Sequence, residues 1–160
     1  MRDEKLLVLV LTRRCERRCG YCPQSFDDED MSEGTLDAAL DGLLPRLSGP
    51  ARLKLFGGEP LLRPDLVTRA LTRAAALAPG ISVELPTHGK GLSAIEALLS
   101  RMPKVELFLS RADPSASKYP GVVHNFLIPP GEQPASTARR LALARKRGYT
   151  RFNFLPAYFV

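Results

Sequence analysis

Short apolar segments that alternate with helical segments constrain the fold of this 160-residue chain more than any other feature. The first, residues 6–12, is apolar on both faces, which is typical of a parallel strand that is covered on both sides. The predicted strands are residues 6–12, 52–56, 81–86, 105–110, 122–128 and 151–158. Strands that alternate with helices form parallel units with right-handed crossovers. The pattern therefore predicts an α/β fold, although periodicity alone does not separate an open sheet from a barrel.

The segments between the strands carry helix signals. The predicted helices are residues 32–47, 64–77, 93–101 and 137–147. Ser32 is a suitable N-cap for the first, and Ser93-x-x-Glu96 has the spacing of a capping box for the third. Gly148 follows the last helix, where glycine is a favoured C-terminal cap. Between the fourth and fifth strands we expect a loop.

Composition fits one globular domain and excludes several classes. Apolar residues make up 44% and charged residues 25% of the chain, and the net charge of +6 does not establish nucleic-acid binding. The first apolar run, residues 6–11, is too short to span a membrane, and no signal-peptide cleavage site follows it. We therefore expect a cytoplasmic protein without a membrane or nucleic-acid partner.

Cys15, Cys19 and Cys22 are the only cysteines in the chain. Their odd number does not fit a complete disulfide framework. Structural zinc prefers four protein ligands, so His88 or His124 would have to supply the fourth. Three thiolates on one loop can instead hold an iron–sulfur cluster and leave one iron without a protein ligand. The trio therefore predicts a metal centre, with the cluster favoured over zinc.

The spacing C-x3-C-x2-C, with Tyr21 before the third cysteine, resembles the signature of the radical S-adenosylmethionine (radical SAM) superfamily. Residues 57–60, Gly-Gly-Glu-Pro, resemble a second motif of that family and follow the second predicted strand. The resemblance implies a partial (β/α)6 barrel of parallel strands, open on one side. It also implies that the cysteines hold a [4Fe–4S] cluster whose fourth iron binds S-adenosyl-L-methionine.

The resemblance implies a set of cofactor contacts near the C-terminal ends of the strands, where loops of parallel folds converge. The expected contacts with S-adenosyl-L-methionine are Tyr21, Gly57, Gly58, Glu59, Pro60, Ser110, Asn125 and Tyr158. Glu59 offers an acceptor for the ammonium group of the ligand, and the two glycines let the backbone approach it. Asn125 is preferred to His124 because neighbouring residues of a strand point to opposite faces. No catalytic residue is assigned beyond the cluster ligands.

Two stretches depart from the family pattern. His88 stands where related enzymes often carry asparagine in a Thr-Asn-Gly turn, so it either reaches the ligand or only satisfies the turn. The usual Ser-Leu-Asp-Gly-like segment reads Ser110-Arg111-Ala112-Asp113, which leaves Arg111 and Asp113 without an assigned role.

Charged residues surround the cysteine motif. Arg13, Arg14, Arg17 and Arg18 are either solvated or form a docking site for a one-electron donor such as a flavodoxin or ferredoxin. The acidic residues 27–30 are expected to form a solvated loop.

The resemblance implies an oxygen-sensitive radical SAM enzyme, with a peptide or protein as the favoured substrate. A non-catalytic iron–sulfur accessory module on the same fold is the alternative, and a zinc scaffold is a third. We expect a single radical SAM core domain over residues 1–160, incomplete at its C-terminus because the chain stops in or just after an apolar strand.

Overall fold

A sheet of six parallel strands, alternating with helices, forms the fold, as the sequence pattern predicts. The computed structural model describes residues 4–22, 24–47, 50–102, 104–111, 113–119 and 121–156. The strands are β1 (Lys5–Thr12), β2 (Ala51–Gly57), β3 (Ser82–Thr87), β4 (Val105–Leu109), β5 (Val122–Ile128) and β6 (Phe152–Pro156). They pair in the order β1-β2-β3-β4-β5-β6. Within the described residues β1 and β6 have no strand partner on their outer edges, so the sheet is a partial barrel that is open on one side.

In the described part of the chain, four α-helices and four short 3-10 helices connect the strands. The α-helices are α1 (Glu33–Leu43), α2 (Pro64–Leu77), α3 (Glu96–Leu99) and α4 (Pro134–Lys146). The 3-10 helices are Leu44–Arg46, Pro60–Leu62, Leu92–Ile95 and Pro114–Ala116. No helix in the described part of the chain is both long and apolar enough to cross a membrane.

The core lies between one face of the sheet and the helices. Its fully buried members include Leu11, Leu53, Leu55, Leu85 and Leu109 from the strands and Leu36, Leu40, Leu66 and Leu71 from α1 and α2. Buried positions alternate along the strands and recur every three or four residues along the helices, as in Leu36 and Leu40 of α1 and Val67, Ala70 and Ala74 of α2. Each element therefore presents one apolar face to the other.

The first strand is covered on one face only. Leu6, Val8 and Val10 keep 40–54% of their surface exposed, so the prediction of a strand covered on both sides is wrong for this face. They pair in register with Arg52, Lys54 and Phe56, three residues that line the concave side of the barrel. The apolar face of β1 that lacks cover is therefore its inner face, at the open side of the barrel.

Two of the predicted helix ends are confirmed where a residue caps the helix through local contacts. Ser32 caps α1 by accepting a 3.1 Å hydrogen bond from the Thr35 amide, and Gly148 follows α4 with a φ of +90°, as predicted. The predicted capping box is wrong, because Ser93 lies inside a 3-10 helix and α3 begins only at Glu96 without a side-chain cap. Helix α4 begins three residues earlier than predicted, with a proline at its first position.

Candidate functional site

The three cysteines lie in the loop that follows β1 and line one cavity of about 150 Å³, here called the cysteine cavity. The predicted site residues that share this cavity are Cys15, Cys19, Tyr21, Cys22, Gly57, Gly58, Glu59, Ser110 and Asn125. They come from the C-terminal ends of β1, β2 and β4 and from β5, so the parallel topology brings together residues that are far apart in sequence. Pro60 is buried at the start of a 3-10 helix and does not line the cavity, and Tyr158 lies outside the described residues.

Further residues, which were not among the expected cofactor contacts, also line the cavity. They are Arg17, Phe26, Phe56, Pro86, Thr87, His88 and Phe108. Phe56, Pro86 and Phe108 occupy inward-facing positions on adjacent strands and form an apolar wall. Each of these three residues lies near the C-terminal end of its strand, two positions after a charged residue on the same inner face. That spacing could have predicted from the sequence that they line the cavity.

Local contacts shape the cysteine loop. The Cys22 amide donates to the Cys19 carbonyl at 2.9 Å, and the Arg17 amide donates to the Cys15 sulfur at 3.4 Å. Burial, together with the neighbouring Cys19 thiol, raises the pKa of Tyr21 to about 12. The phenol is therefore neutral at physiological pH and serves as a packing and hydrogen-bonding group.

The acidic segment of residues 27–30 braces the start of the cysteine loop. Arg13 pairs with Asp27 at 2.6 Å and with Glu29 at 2.9 Å. The backbone of the segment also joins the end of β1, where the Arg13 amide donates to the Glu29 carbonyl at 2.8 Å and Thr12 forms an antiparallel bridge with Asp30. Asp28 and Glu29 are exposed, as expected for a solvated loop, but the segment also has structural contacts that the expectation did not include.

Asp30 is the best-connected carboxylate of this acidic segment. It accepts a 2.6 Å hydrogen bond from the Thr12 hydroxyl and pairs with Arg63 at 2.7 Å. Burial opposes its ionisation, but these two partners and Arg14 outweigh that effect and lower its pKa. Arg14 also contacts the Asp28 carbonyl, so Arg13 and Arg14 both hold the loop in place.

The two glycines of the second motif allow close backbone packing. Gly57 has a φ of +144°, and a Cβ built on it would lie 2.1 Å from the Thr12 carbonyl oxygen. A Cβ on Gly58 would lie 2.2 Å from the Arg14 carbonyl oxygen. The amides of Gly58 and Glu59 donate to those same two carbonyls at 2.9 and 2.8 Å. The structural need for glycine is thus the contact between the two motif loops, a reason that differs from the expected approach to a ligand.

Glu59 is 2% exposed and is held by three donors. Its Oε1 accepts from the Thr87 hydroxyl at 2.6 Å and from the Leu61 amide at 3.1 Å, and its Oε2 accepts from the His88 amide at 2.8 Å. A carboxylate offers about four acceptor positions, so one remains for another donor. Glu59 therefore ties the second motif to the end of β3 while it faces the cysteine cavity.

His88 both satisfies its turn and reaches the cavity. Its Nδ1 accepts a 3.2 Å hydrogen bond from the Lys90 amide, so the proton of a neutral ring lies on Nε2. That Nε2 lies 3.2 Å from Glu59 Oε2 and 3.6 Å from Glu16 Oε2 without an aligned hydrogen bond to a described residue. The side chain is 5% exposed, so the cavity holds a buried polar atom with one donor to offer.

Strand alternation separates His124 from Asn125, as predicted. His124 is buried on the outer face, where its Nδ1 lies 3.0 Å from the Leu109 carbonyl and its ring packs against Tyr149. Asn125 faces the interior and accepts a 3.1 Å hydrogen bond from Asn153. Ser110 lies beside it, with its amide bonded to the Thr87 carbonyl at 3.0 Å.

The donor set of the cysteine cavity fits an iron–sulfur cluster with three protein ligands. Such clusters are held by cysteine thiolates, and here three thiols of one short loop face a single cavity. Among the described residues, no three His, Cys, Asp or Glu side chains are placed to hold a single metal ion.

No protein-family model matches the chain. A GTP 3',8-cyclase of Streptomyces coelicolor is 36% identical over 97 residues, which are 54% of this chain and 26% of that protein. A PqqA peptide cyclase of Streptomyces rochei is 36% identical over 117 residues, 70% of this chain and 31% of that protein. The chain thus spans between about a quarter and a third of the length of these curated relatives.

Two solved structures share the fold. Streptococcus suis SuiB bound to its precursor peptide SuiA matches with a TM-score of 0.76 at 16% identity, over 96% of this chain and 39% of that one. The protein anSMEcpe with bound AdoMet matches with a TM-score of 0.72 at 15% identity, over 98% of this chain and 52% of that one.

Fold and cavity together define a class of α/β proteins in which a partial parallel barrel brings a cysteine triad against a Gly-Gly-Glu-Pro turn. The sequence relatives show which superfamily this class corresponds to. The chain belongs to the radical SAM superfamily.

Proposed function

We propose that this chain is the catalytic core of a radical SAM enzyme that acts on a peptide or protein. In this proposal Cys15, Cys19 and Cys22 bind a [4Fe–4S] cluster, and S-adenosyl-L-methionine is the second cofactor. The observation that supports it best is the single cavity shared by the cysteine loop, the Gly-Gly-Glu-Pro loop, the ends of β3 and β4, and Asn125 of β5. The chemistry that the bound cluster would supply is one electron to S-adenosyl-L-methionine, so that the bond between its sulfur and 5′ carbon would break into methionine and a 5′-deoxyadenosyl radical, which would abstract hydrogen from the substrate.

The residues of the chain would bind and orient the ligand rather than react with it. Glu59 keeps one acceptor position for the ammonium group of S-adenosyl-L-methionine, and its three protein donors fix the carboxylate in place. Ser110 and Asn125 offer polar atoms on the facing side of the cavity. The apolar wall of Phe56, Pro86 and Phe108 would exclude water from the reacting centre.

A peptide substrate is supported by a sequence relative and by a structure among those described above. The first is a PqqA peptide cyclase, and the second is SuiB bound to a precursor peptide. The GTP 3',8-cyclase relatives favour a nucleotide as the second candidate substrate. A non-catalytic iron–sulfur module on the same fold is the remaining alternative.

A one-electron donor such as a flavodoxin or ferredoxin is part of the proposal. Arg13 and Arg14 pair with the acidic segment of residues 27–30, and Arg18 contacts the Cys15 carbonyl and stacks on Phe26. The basic residues near the cysteines therefore have structural partners as well, and only part of their charge is available for docking.

The test is anaerobic reconstitution with iron and sulfide, followed by an assay for 5′-deoxyadenosine with S-adenosyl-L-methionine and a strong reductant. We expect product from the wild-type chain and none from Cys19→Ala, because one cluster ligand is lost. Ser93→Ala is the matched control, since Ser93 is exposed and does not line the cavity. A full cluster without product in the wild type would contradict the enzyme proposal and favour the non-catalytic module.

A further inference from the structure

A second cavity, of about 450 Å³, adjoins the cysteine cavity and is lined mainly by cations. Its lining residues are Arg17, His88, Lys90, Arg111, Asp113, Pro114 and Arg147. We call it the basic cavity. Arg17 and His88 line both cavities, so a molecule that fills the basic cavity extends directly to the three cysteines.

Two arginines of the basic cavity have guanidinium groups without a polar partner among the described residues. Among the described residues, Arg17 and Arg111 make no hydrogen bond or ion pair through their guanidinium groups, whereas Lys90 pairs with Glu16. Arg13 and Arg14 on the same loop as Arg17 are both paired with carboxylates. The guanidinium groups of Arg17 and Arg111 are therefore available to an anionic ligand.

Asp113, two residues after Arg111, is anchored by hydrogen bonds. The Tyr149 hydroxyl, on a 1% exposed residue, donates to the Asp113 carbonyl at 2.7 Å. The Asp113 carboxylate accepts from the amide and hydroxyl of Ser115 at 2.9 and 2.8 Å. These bonds, and to a smaller extent Arg111 and Arg147, lower the pKa of Asp113. An ionised acceptor thus lies among the cations of the basic cavity.

The arrangement of charges favours spaced carboxylates over a compact phosphate chain. The cations come from separate segments: the cysteine loop, the loops after β3 and β4, and the end of α4. Asp113 and the negative C-terminal end of the α4 dipole would both repel a polyphosphate concentrated there. An extended peptide instead presents separate acidic side chains to the arginines and backbone N–H groups to Asp113.

We propose that the basic cavity binds an acidic segment of the peptide substrate, with Arg17 and Arg111 pairing with its carboxylates while an adjacent residue enters the cysteine cavity. This inference rests on the proposed function and deepens it, because it assigns a specificity surface to the peptide. Binding is expected to weaken as salt is added, since exposed charge pairs are screened.

The test measures binding of a short fluorescent peptide of alternating Glu and Ala to the reconstituted holoenzyme, by fluorescence anisotropy. We expect the counterpart peptide with Gln in place of Glu to bind at least about tenfold more weakly, and Arg111→Glu to lose at least about tenfold in affinity for the Glu peptide, a change of about 1.4 kcal/mol. Arg111→Lys keeps the charge and should retain most of the affinity. Arg139→Glu is the matched control, because Arg139 is exposed on α4 and does not line the basic cavity.

Equal loss in Arg139→Glu and Arg111→Glu would overturn the inference, because net charge alone would then explain binding. Inorganic tripolyphosphate is the competing probe. Binding of tripolyphosphate through Arg111 without binding of the Glu peptide would also overturn it in favour of a phosphate ligand. Circular dichroism establishes that each variant is folded. Failure of the proposed function is a separate result, because it appears as absent 5′-deoxyadenosine in the wild type, whatever the peptide affinity.

Discussion

At the scale of single residues, the contact between the two motif loops depends on the absence of a side chain at Gly58. A Cβ at this position would lie 2.2 Å from the Arg14 carbonyl oxygen and 2.9 Å from that of Arg13. Both obstacles are backbone atoms that are themselves anchored, since Glu59 donates to Arg14 and Arg13 donates to Glu29. Relief of the clash would therefore separate the cysteine loop from the Gly-Gly-Glu-Pro loop.

Gly58→Ala is accordingly expected to destabilise the chain by about 2–4 kcal/mol, through overpacking and loss of backbone hydrogen bonds. Gly42→Ala is the matched control, because Gly42 lies inside α1 and a methyl group added there would meet nothing within 4 Å. That substitution should stabilise the chain by about 0.5–1 kcal/mol. Urea unfolding followed by circular dichroism measures both changes. A Gly58→Ala variant as stable as the wild type would contradict the described packing.

Burial of His124 gives a second prediction at this scale. Desolvation lowers its pKa, with Arg140 adding to the effect and the Leu109 carbonyl opposing it. A histidine whose folded pKa is lowered stabilises the fold fully above its unfolded pKa of about 6.5, and this contribution is lost as the pH falls below that value. We expect the free energy of unfolding to fall between about pH 7 and pH 5, and His124→Gln to reduce that dependence. The comparison is urea unfolding of both proteins at several pH values. An unchanged slope in the variant would contradict this assignment.

At the scale of elements, the sequence predicted every strand and placed the motif loops at one end of the sheet. Ser32 and Gly148 supplied reliable helix ends because their capping bonds are local. The exposure of the inner face of β1 and the structural role of residues 27–30 could not be predicted from such local signals. Both depend on pairing between distant segments, such as the antiparallel bridge of Thr12 with Asp30, and a charge run carries no signal about its partners.

The acidic segment of residues 27–30 is expected to stabilise the cysteine loop chiefly through Asp30. Asp30→Asn weakens charge-assisted bonds from Thr12 and Arg63 and should cost about 1–3 kcal/mol of unfolding free energy at neutral pH. The lowered pKa of Asp30 means that its contribution is present above about pH 4 and is lost as the pH falls through the folded value, so wild type and variant should converge in acid. Asp28→Asn is the control, because among the described residues Asp28 makes polar contacts through its backbone carbonyl and none through its carboxylate. Equal effects of the two variants in urea unfolding would contradict this role.

At the scale of the whole molecule, ion pairs connect neighbouring strands on the inner face of the barrel, the face that the helices do not cover. Arg52 of β2 pairs with Glu84 of β3 at 2.6 Å and lies 3.7 Å from Glu106 of β4. Arg151, just before β6, also pairs with Glu106. These side chains line a cavity of about 660 Å³ on the concave side of the sheet. The network therefore links the two halves of an open barrel whose first and last strands do not pair.

The pair of Arg52 with Glu84 should contribute more to stability than the pair of Arg73 with Asp41 between the helices, because it is less exposed to solvent. The Glu84 side chain is 15% exposed, whereas Asp41 of α1, which pairs with Arg73 of α2, is 46% exposed. We expect Glu84→Gln to cost about 1–3 kcal/mol, since it leaves Arg52 and Lys54 with fewer partners inside the barrel. Asp41→Asn, the matched control, should cost no more than about 1 kcal/mol, and added salt should reduce that cost further. Urea unfolding at low and high salt separates the two cases. If the variants lose equal stability with equal salt dependence, the inner network does not hold the open barrel together, and the burial of the apolar core alone must do so.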